Sequence, residues 1–166
     1  MKVLNVHERK LPAPCEKAGA LLDSLASDRD ALWPSPSWPP MRLDRPLGVG
    51  AAGGHGPIRY VVERYDPGRG IEFRFTGPEG FEGSHRFEVE PAGEGACVLR
   101  HAIDMTARGA ARLSWPLVFR PLHDALLEDA LDKAEASLGV QPAARTWSPW
   151  VRFLRWILAR RRRRAG

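Results

Sequence analysis

Between residues 58 and 107 the chain consists of short runs in which apolar and polar side chains alternate. Alternation with a period of two predicts β-strands that are buried on one face, and glycine- and proline-rich turns separate the runs. The strands expected after Pro46 are Gly48–Gly54, Ile58–Tyr65, Ile71–Thr76, Phe81–Glu90 and Cys97–Ala107. The pattern therefore predicts an antiparallel meander, preceded by a first strand at Val3–Leu11.

The last two of these strands place two histidines on one apolar face. Gly93-Glu94-Gly95 is the expected loop between the strands. With that loop, Phe87 lies opposite His101. His85 correspondingly lies opposite Ile103. Both imidazoles should then point to the same side as the apolar residues of the hairpin.

Helical periodicity appears on both sides of the meander. After Pro14 the apolar residues fall on one helical face, and Asp28–Trp33 is expected to form a second short helix that Pro34 ends. Leu117–Leu138 is the expected long helix, with Gly139 as its stop. Its apolar side carries Leu122, Leu126, Leu127, Leu131, Ala134 and Leu138, and its other side carries Asp124, Glu128, Asp129 and Asp132.

Prolines interrupt both periodicities at two places. The stretch PSPSWPP at 34–40 can continue neither a helix nor a strand, so we expect a loop that could act as a lid. Pro121 should kink the long helix or mark its true start. Trp33, Trp38 and Trp115 flank these two places, where aromatic side chains either rim a cavity mouth or cap the core.

These elements predict an α+β protein in which a curved antiparallel sheet wraps around one long C-terminal helix, with two short helices after the first strand. The segments IRYVVERYDPGRGIEFRF, GSHRFEVEPAGEGACVLRHAIDM and PLVFRPLHDALLEDALDKAEASL resemble the START-like, or SRPBCC, superfamily. That superfamily includes polyketide cyclases, aromatases, lipid-transfer domains and Bet v 1-like proteins. The resemblance covers residues 1–138 and implies a helix-grip fold whose internal cavity binds apolar ligands.

The implied cavity lies between the sheet and the long helix, and the resemblance carries over no catalytic residue. We expect a ligand-binding domain at 1–140 whose pocket is lined by Phe73, His85, Phe87, Leu99, His101, Ile103, Trp115 and Leu127. In such a pocket the two histidines have two possible roles. They hydrogen-bond a carbonyl or hydroxyl group of the ligand, or they are core residues whose hydrogen bonds are made within the protein.

No metal or cofactor is expected. Two histidines on one hairpin do not define a zinc site, because no third ligand has an evident place beside them. The stretch GVGAAG at 48–53 matches a dinucleotide-binding pattern, but the glycines and Pro57 that follow cannot begin the helix that would hold a pyrophosphate. Asp124 is expected to offset the dipole of the long helix. Cys15 and Cys97 are expected to stay reduced.

The tail at 141–166 differs from the rest of the chain in charge. It contains eight of the 25 Lys and Arg residues and no acid, which leaves 17 against 20 Asp and Glu in the remainder. Ser148-Pro149 can start a helix in which apolar residues recur at helical spacing. That apolar stretch is shorter than the roughly 20 residues needed to cross a bilayer. Aromatic residues beside arginines are instead typical of a helix that lies on an anionic membrane surface.

Three interpretations of this tail remain open. In the first, the membrane-binding residues are Trp150, Phe153, Ile157, Arg160, Arg161, Arg162, Arg163 and Arg164. In the second, the apolar side chains pack on the preceding domain and the arginines are solvated. A nucleic-acid partner is the third and is not expected, because no other basic and aromatic surface accompanies the tail.

The favoured function is binding or transport of a hydrophobic small molecule that is lipid-, quinone- or polyketide-like. One alternative is a cyclase- or aromatase-type enzyme whose pocket histidines act as acid/base groups. Another is an interaction module whose tail binds an acidic protein. The N-terminus lacks the apolar region of a signal peptide, so we expect a cytoplasmic protein that is peripheral to the inner membrane face if the tail binds lipid.

Overall fold

The computed structural model describes the backbone of residues 1–164 and the side chains of residues 1–160. Seven strands form one antiparallel sheet in the order β1-β7-β6-β5-β4-β3-β2. They are β1 (Lys2–Leu11), β2 (Arg42–Leu43), β3 (Ala52–His55), β4 (Ile58–Asp66), β5 (Gly70–Gly77), β6 (Phe81–Pro91) and β7 (Cys97–Ala107). The predicted meander is confirmed, but the strand expected at Gly48–Gly54 begins only at Ala52, and β2 was not predicted. The first strand pairs with the last one.

The long helix packs its leucines toward this sheet. It consists of α2 (Ala111–Ser114), a π-helical turn (Trp115–Phe119) and α3 (Arg120–Ser137), which follow one another without a gap in the sequence. Its buried leucines, which lie in the main apolar cluster as their spacing predicts, are Leu126, Leu127 and Leu131. The short helix α1 (Cys15–Asp23) packs against β5, β6 and β7. This arrangement is the predicted helix grip.

The register of the sheet agrees with the predicted hairpin. Phe87 pairs with His101, and His85 pairs with Ile103. On its other edge β7 pairs with β1, where His7 lies directly opposite His101. Adjacent strands therefore carry histidines on the same face of the sheet, because residues directly opposite each other in a ladder point to the same side.

The second short helix predicted at 28–33 does not form, and a series of turns takes its place. The Asp30 carboxylate accepts hydrogen bonds from the backbone N–H groups of Ala26, Leu32 and Trp33. Such local side-chain bonds satisfy the backbone donors without a helix, and they account for the difference.

The long helix begins earlier than predicted, at Ala111 instead of Leu117, and includes a π-helical turn just before Pro121. Pro121 has no N–H to donate to the carbonyl of Leu117, and its ring crowds the preceding turn. A wider π-helical turn accommodates this ring. The carbonyl of Leu117 instead accepts a hydrogen bond of 2.9 Å from the indole N–H of Trp150.

The tail forms helix α4 (Pro149–Arg164), and one side of it packs on the domain through the buried Val151 and Leu154. Away from that side, Trp150, Phe153 and Trp156 stack in a row and are 46%, 46% and 49% exposed. We call these three side chains the aromatic row. No helix in the described part of the chain is long and apolar enough to cross a bilayer.

Candidate functional site

A row of imidazoles lies between the sheet and the long helix. His85 from β6, His101 from β7, His123 from α3 and His7 from β1 follow one another, and we call these four the histidine row. Their ring centroids are 5.4 Å apart between His85 and His101, and 5.0 Å between His101 and His123. The last pair, His123 and His7, is 5.7 Å apart.

The histidine row lies between two apolar clusters of the core. The main cluster includes Phe73, Phe87, Leu99 and Leu127, and the smaller one includes Phe75, Phe81, Ile103 and Trp115. His85 touches both, because its ring stacks on Phe73 at 4.8 Å and lies 4.9 Å from Phe75. A polar layer therefore crosses an otherwise apolar interior.

Several polar atoms of this layer have no hydrogen-bond partner among the described residues. The buried unpartnered side-chain atoms are Asn5 Oδ1, Tyr60 OH, His85 Nε2, His101 Nδ1, His123 Nδ1 and His123 Nε2. Tyr60 belongs to the same group, since its ring lies 4.9 Å from that of His85. Buried polar groups in native proteins are normally bonded, so this cluster of exceptions needs partners such as ordered water or a ligand.

The inner end of the row is neutral. Burial lowers the pKa of His85 and of His101 well below 6.5, and repulsion from neighbouring imidazoles acts in the same direction. Each ring then has one N–H donor and one acceptor nitrogen. His85 Nδ1 and His101 Nε2 share one hydrogen bond of 3.3 Å. In either tautomeric arrangement, the two remaining nitrogens offer one donor and one acceptor.

The outer end of the row is ionic. His7 Nε2 lies 3.0 Å from Asp124 Oδ1, and His7 Nδ1 lies 3.0 Å from Glu128 Oε1. Burial disfavours the imidazolium, but the two carboxylates outweigh it and raise the pKa of His7 above 6.5. Burial also disfavours the ionised form of Asp124, but the contacts with His123, His7 and Asn5 outweigh it and lower the pKa of this carboxyl.

The acidic side of α3 faces β1. The Arg9 guanidinium donates to Glu128 at 2.9 Å and to Asp132 at 3.0 Å. Asp124 does not lie in the first turn of the helix, which begins at Ala111, so the predicted dipole role is wrong. Its carboxylate instead accepts hydrogen bonds from Asn5 and His7, both at 3.0 Å.

All eight residues predicted to line a pocket are buried on the inner side of the sheet or helix. Along the sheet, the ring of Phe73 contacts His85, that of His85 contacts His101, and that of His101 contacts Phe87. Trp115 lies in the smaller cluster, 6.1 Å from the ring of His123. A ligand-binding role for these eight residues stays a prediction.

Sequence reasoning missed His7, Tyr60 and His123 as members of this site, and it gave no role to the nearby His55. His55 is partly buried against Trp33 and Tyr60, and burial lowers the pKa of His55 to about 3. A signal for His7 was present, because Asn5, His7 and Arg9 occupy alternate positions of β1 and put polar groups on its inner face. His123 carried no comparable signal, since a helix position reveals its neighbours only after packing.

The loop at 34–40 packs against α3 and α4. Trp38 donates its indole N–H to Asp129 at 2.6 Å, and Lys133 donates to the carbonyl of Trp33 at 2.6 Å. The guanidinium of Arg155 lies 4.2 Å from the ring centre of Trp38 and 3.9 Å from that of Trp147. The tail helix therefore contacts the loop that sequence analysis identified as a potential lid.

Two open grooves lie on the described surface. One of about 250 Å³ lies between the 34–40 loop and α3, where Ser35, Ser37 and Asp129 line it. The other, of about 300 Å³, lies on the outer face of the sheet among charged residues such as Glu72 and Arg86. Neither groove is lined by the predicted pocket residues.

A family model described as polyketide cyclase / dehydrase and lipid transport matches residues 6–139. The chain belongs to this family. The match extends from β1 to the end of the long helix, and it confirms the superfamily that the strand and helix pattern indicated. No curated protein matches the chain.

Solved structures share the fold of this family member at low sequence identity. Norcoclaurine synthase from Thalictrum flavum, in complex with dopamine and hydroxybenzaldehyde, has a TM-score of 0.62 and 15% identity over 86% of this chain and 90% of that chain. Ara h 8.0201 has a TM-score of 0.61 and 16% identity, over 84% and 99%. CalU16 from Micromonospora echinospora has a TM-score of 0.59 and 13% identity, over 97% and 94%. These likenesses establish the fold alone.

Proposed function

We propose that the protein binds a hydrophobic small molecule with one or two hydrogen-bonding groups between the sheet and the long helix. The observation that carries this proposal is the set of buried, unpartnered polar atoms along the histidine row. Each such atom costs about 1–3 kcal/mol when it is left without a partner, and a ligand carbonyl or hydroxyl would remove part of that cost. The apolar clusters on either side suit the rest of such a molecule.

The neutral pair His85 and His101 narrows the class of ligand. One donor and one acceptor on neighbouring rings match a molecule that has a carbonyl and a hydroxyl group, as in a quinone-, phenol- or polyketide-like compound. The family description, which joins polyketide chemistry with lipid transport, supports this class. So does the neighbour norcoclaurine synthase, whose structure contains two small aromatic compounds.

Native mass spectrometry of gently purified protein tests the proposal first, because a ligand retained from the host would appear as added mass. Titration with an apolar fluorophore then gives an affinity. We expect His101→Phe to lower that affinity, since it fills space and removes the polar contact. The matched control is Arg86→Gln, which lies next to His85 in β6 but faces outward. Equal binding by both variants would place the ligand outside the histidine row.

The second part of the proposal is that α4 docks on an anionic membrane surface. The aromatic row is exposed, and Arg160 lies over the ring of Trp156 at 3.8 Å, so aromatic and cationic groups lie together. Ile157 is partly buried, and the side chains of Arg161, Arg162, Arg163 and Arg164 lie outside the described residues. Trp and Arg on one surface suit the headgroup region, where each basic residue contributes about 1 kcal/mol.

Sedimentation with vesicles tests the docking of α4. We expect the full chain to bind vesicles that contain anionic lipid and not to bind vesicles of neutral lipid. Binding should weaken as the salt concentration rises. Replacing the three residues of the aromatic row with serine should abolish most of the binding. Val49→Ser, which removes an exposed apolar side chain of the domain, is the control. Binding unaffected by the triple replacement would refute the proposed surface.

A cyclase- or aromatase-type activity is the second candidate function. It is favoured by the 3.3 Å contact between His85 and His101 and by the continuation of the row to His123. The lowered pKa values of the inner pair argue for hydrogen bonding to substrate more than for proton removal near neutral pH, since an efficient general base has a pKa near the working pH. Turnover of a poly-β-keto substrate mimic, lost in His85→Phe, would establish the enzyme.

A further inference from the structure

We propose that His7, His123 and Asp124 form a binding site for one divalent transition-metal ion such as Zn²⁺. One ligand atom from each of the three residues lies within 4.8 Å of the other two. The site joins β1, at the edge of the sheet, to α3. The inference goes beyond the proposed small-molecule function and does not depend on it.

The distances suit a small metal ion. Asp124 Oδ1 lies 3.0 Å from His7 Nε2 and 3.7 Å from His123 Nδ1. Bonds of about 2.0–2.1 Å to a tetrahedral zinc ion would separate two ligand atoms by roughly 3.3 Å, which lies between these two distances. The third distance, between the nitrogens of His7 and His123, is at most 4.8 Å, so the side chains would have to move closer together around the ion.

Neighbouring residues already orient two of the ligands. Glu128 Oε1 lies 3.0 Å from His7 Nδ1, which is the arrangement in which a carboxylate holds a metal-bound imidazole. Asn5 donates from Nδ2 to Asp124 Oδ1 at 3.0 Å. Arg120 approaches the other oxygen of Asp124, Oδ2, at 3.6 Å.

His123 supplies the independent observation that points to a ligand. Both of its ring nitrogens are buried, and neither has a hydrogen-bond partner among the described residues. A histidine that only packs in a core normally bonds at least one nitrogen, whereas an imidazole with a free lone pair is ready to bind a metal. The next ring in the row, that of His101, is only 2% exposed, and its Nδ1 also has no partner among the described residues.

Two imidazoles and one carboxylate form a donor set that zinc and other borderline divalent metals favour. Three protein ligands leave a fourth position for water or for an oxygen atom of a bound molecule. His7 Nε2 lies at hydrogen-bond distance from Asp124 Oδ1. Metal binding would replace the proton of that contact.

Direct titration tests the proposal on the full chain without an affinity tag, after treatment with a chelator. Calorimetry with Zn²⁺ should give one ion per chain, and Co²⁺ should give the d–d absorption of a low-coordinate nitrogen and oxygen site. His123→Gln and Asp124→Asn should abolish measurable binding, and Glu128→Gln should weaken the affinity by about 10–100-fold. The matched control is His55→Gln, which removes a histidine outside the triangle and should leave the affinity unchanged.

Nitrogen NMR of the unaltered protein gives a readout that does not require a stable variant. Zn²⁺ should shift the ring nitrogens of His7 and His123 and leave those of His55 in place. The proposal is overturned by the absence of stoichiometric zinc binding, by equal binding in folded His123→Gln, or by shifts confined to other histidines. If the metal proposal fails, the fluorophore titration and native mass spectrometry still test the small-molecule site separately.

Discussion

The two ends of the histidine row place the same side chain in opposite electrostatic settings. At the inner end, His85 and His101 lie between apolar clusters, and burial lowers their pKa values. At the outer end, His7 lies between two carboxylates, and its pKa is raised although its side chain is only 13% exposed. The comparison teaches that burial alone does not set the charge of an imidazole, because a carboxylate within hydrogen-bond distance reverses the effect.

Lysine substitutions at the two ends of the histidine row should give the largest difference in stability. His85→Lys puts an ammonium group without a carboxylate partner into the core, and we expect a loss of about 4–5 kcal/mol in the free energy of unfolding. His7→Lys keeps a cation beside Asp124 and Glu128 and should cost less than half as much. Urea denaturation measures both losses. Similar values for the two variants would contradict the neutral inner end.

Truncation of the helix leucines tests the apolar surroundings of that inner end. Leu127→Ala and Leu131→Ala should each lower the free energy of unfolding by about 2–5 kcal/mol, as large-to-small changes in a packed core do. Leu117 is 57% exposed, and Leu117→Ala, its control, should change stability by no more than about 0.5 kcal/mol. Unchanged urea midpoints for the two core variants would mean that the buried face of α3 is assigned wrongly.

The pH dependence of stability sharpens the comparison. The pKa of His85 in the folded protein is below 6.5, so at acidic pH this imidazole takes up a proton when the chain unfolds. The contribution of neutral His85 to the free energy of unfolding is therefore fully present above pH 6.5. It is lost as the pH falls from 6.5 toward the pKa of His85 in the folded protein. Each proton taken up contributes a slope of about 1.4 kcal/mol per pH unit.

His85→Phe removes this proton and retains an aromatic ring beside Phe73. We expect its unfolding free energy to decline less steeply with acid than that of the unaltered protein, with both chains measured in chelator. Arg86→Gln should reproduce the original slope. Parallel curves for His85→Phe and the unaltered chain would show that His85 is already protonated or exposed.

Arg155→Ala should have the smallest effect on stability. It also tests whether the 34–40 loop controls access of a ligand to the inner end of the histidine row. The guanidinium lies over Trp38 and Trp147, and such contacts are worth about 0.5–2 kcal/mol. In a chain of this size, a loss of 1 kcal/mol lowers the thermal midpoint by roughly 2–4 °C. Fluorophore uptake should become faster if the 34–40 loop covers the route to the histidine row. Arg152→Ala, which removes an exposed neighbour, should change neither quantity.

Most of the fold could be predicted from local patterns. The alternation along β6 and β7 established which residues face inward, and the short loop at 93–95 established that Phe87 pairs with His101. The spacing of Leu126, Leu127 and Leu131 identified the buried side of the long helix. These predictions succeeded because a period of two or 3.6 residues is a property of the chain itself. The failed helix at 28–33 shows the limit, since Asp30 bonds its own neighbours in a way that periodicity does not reveal.

The sequence alone therefore determined the strands, their hairpin register and the apolar face of the helix. Only the tertiary structure decided that His7 meets Asp124 across 117 positions, that the acids of α3 pair with Arg9, and that α4 packs through Val151 and Leu154. The physical reason is that these contacts depend on where β1 closes against β7 and where α3 crosses the sheet. Both follow from the packing of all the elements together, and no local pattern in one segment specifies the segment it will touch.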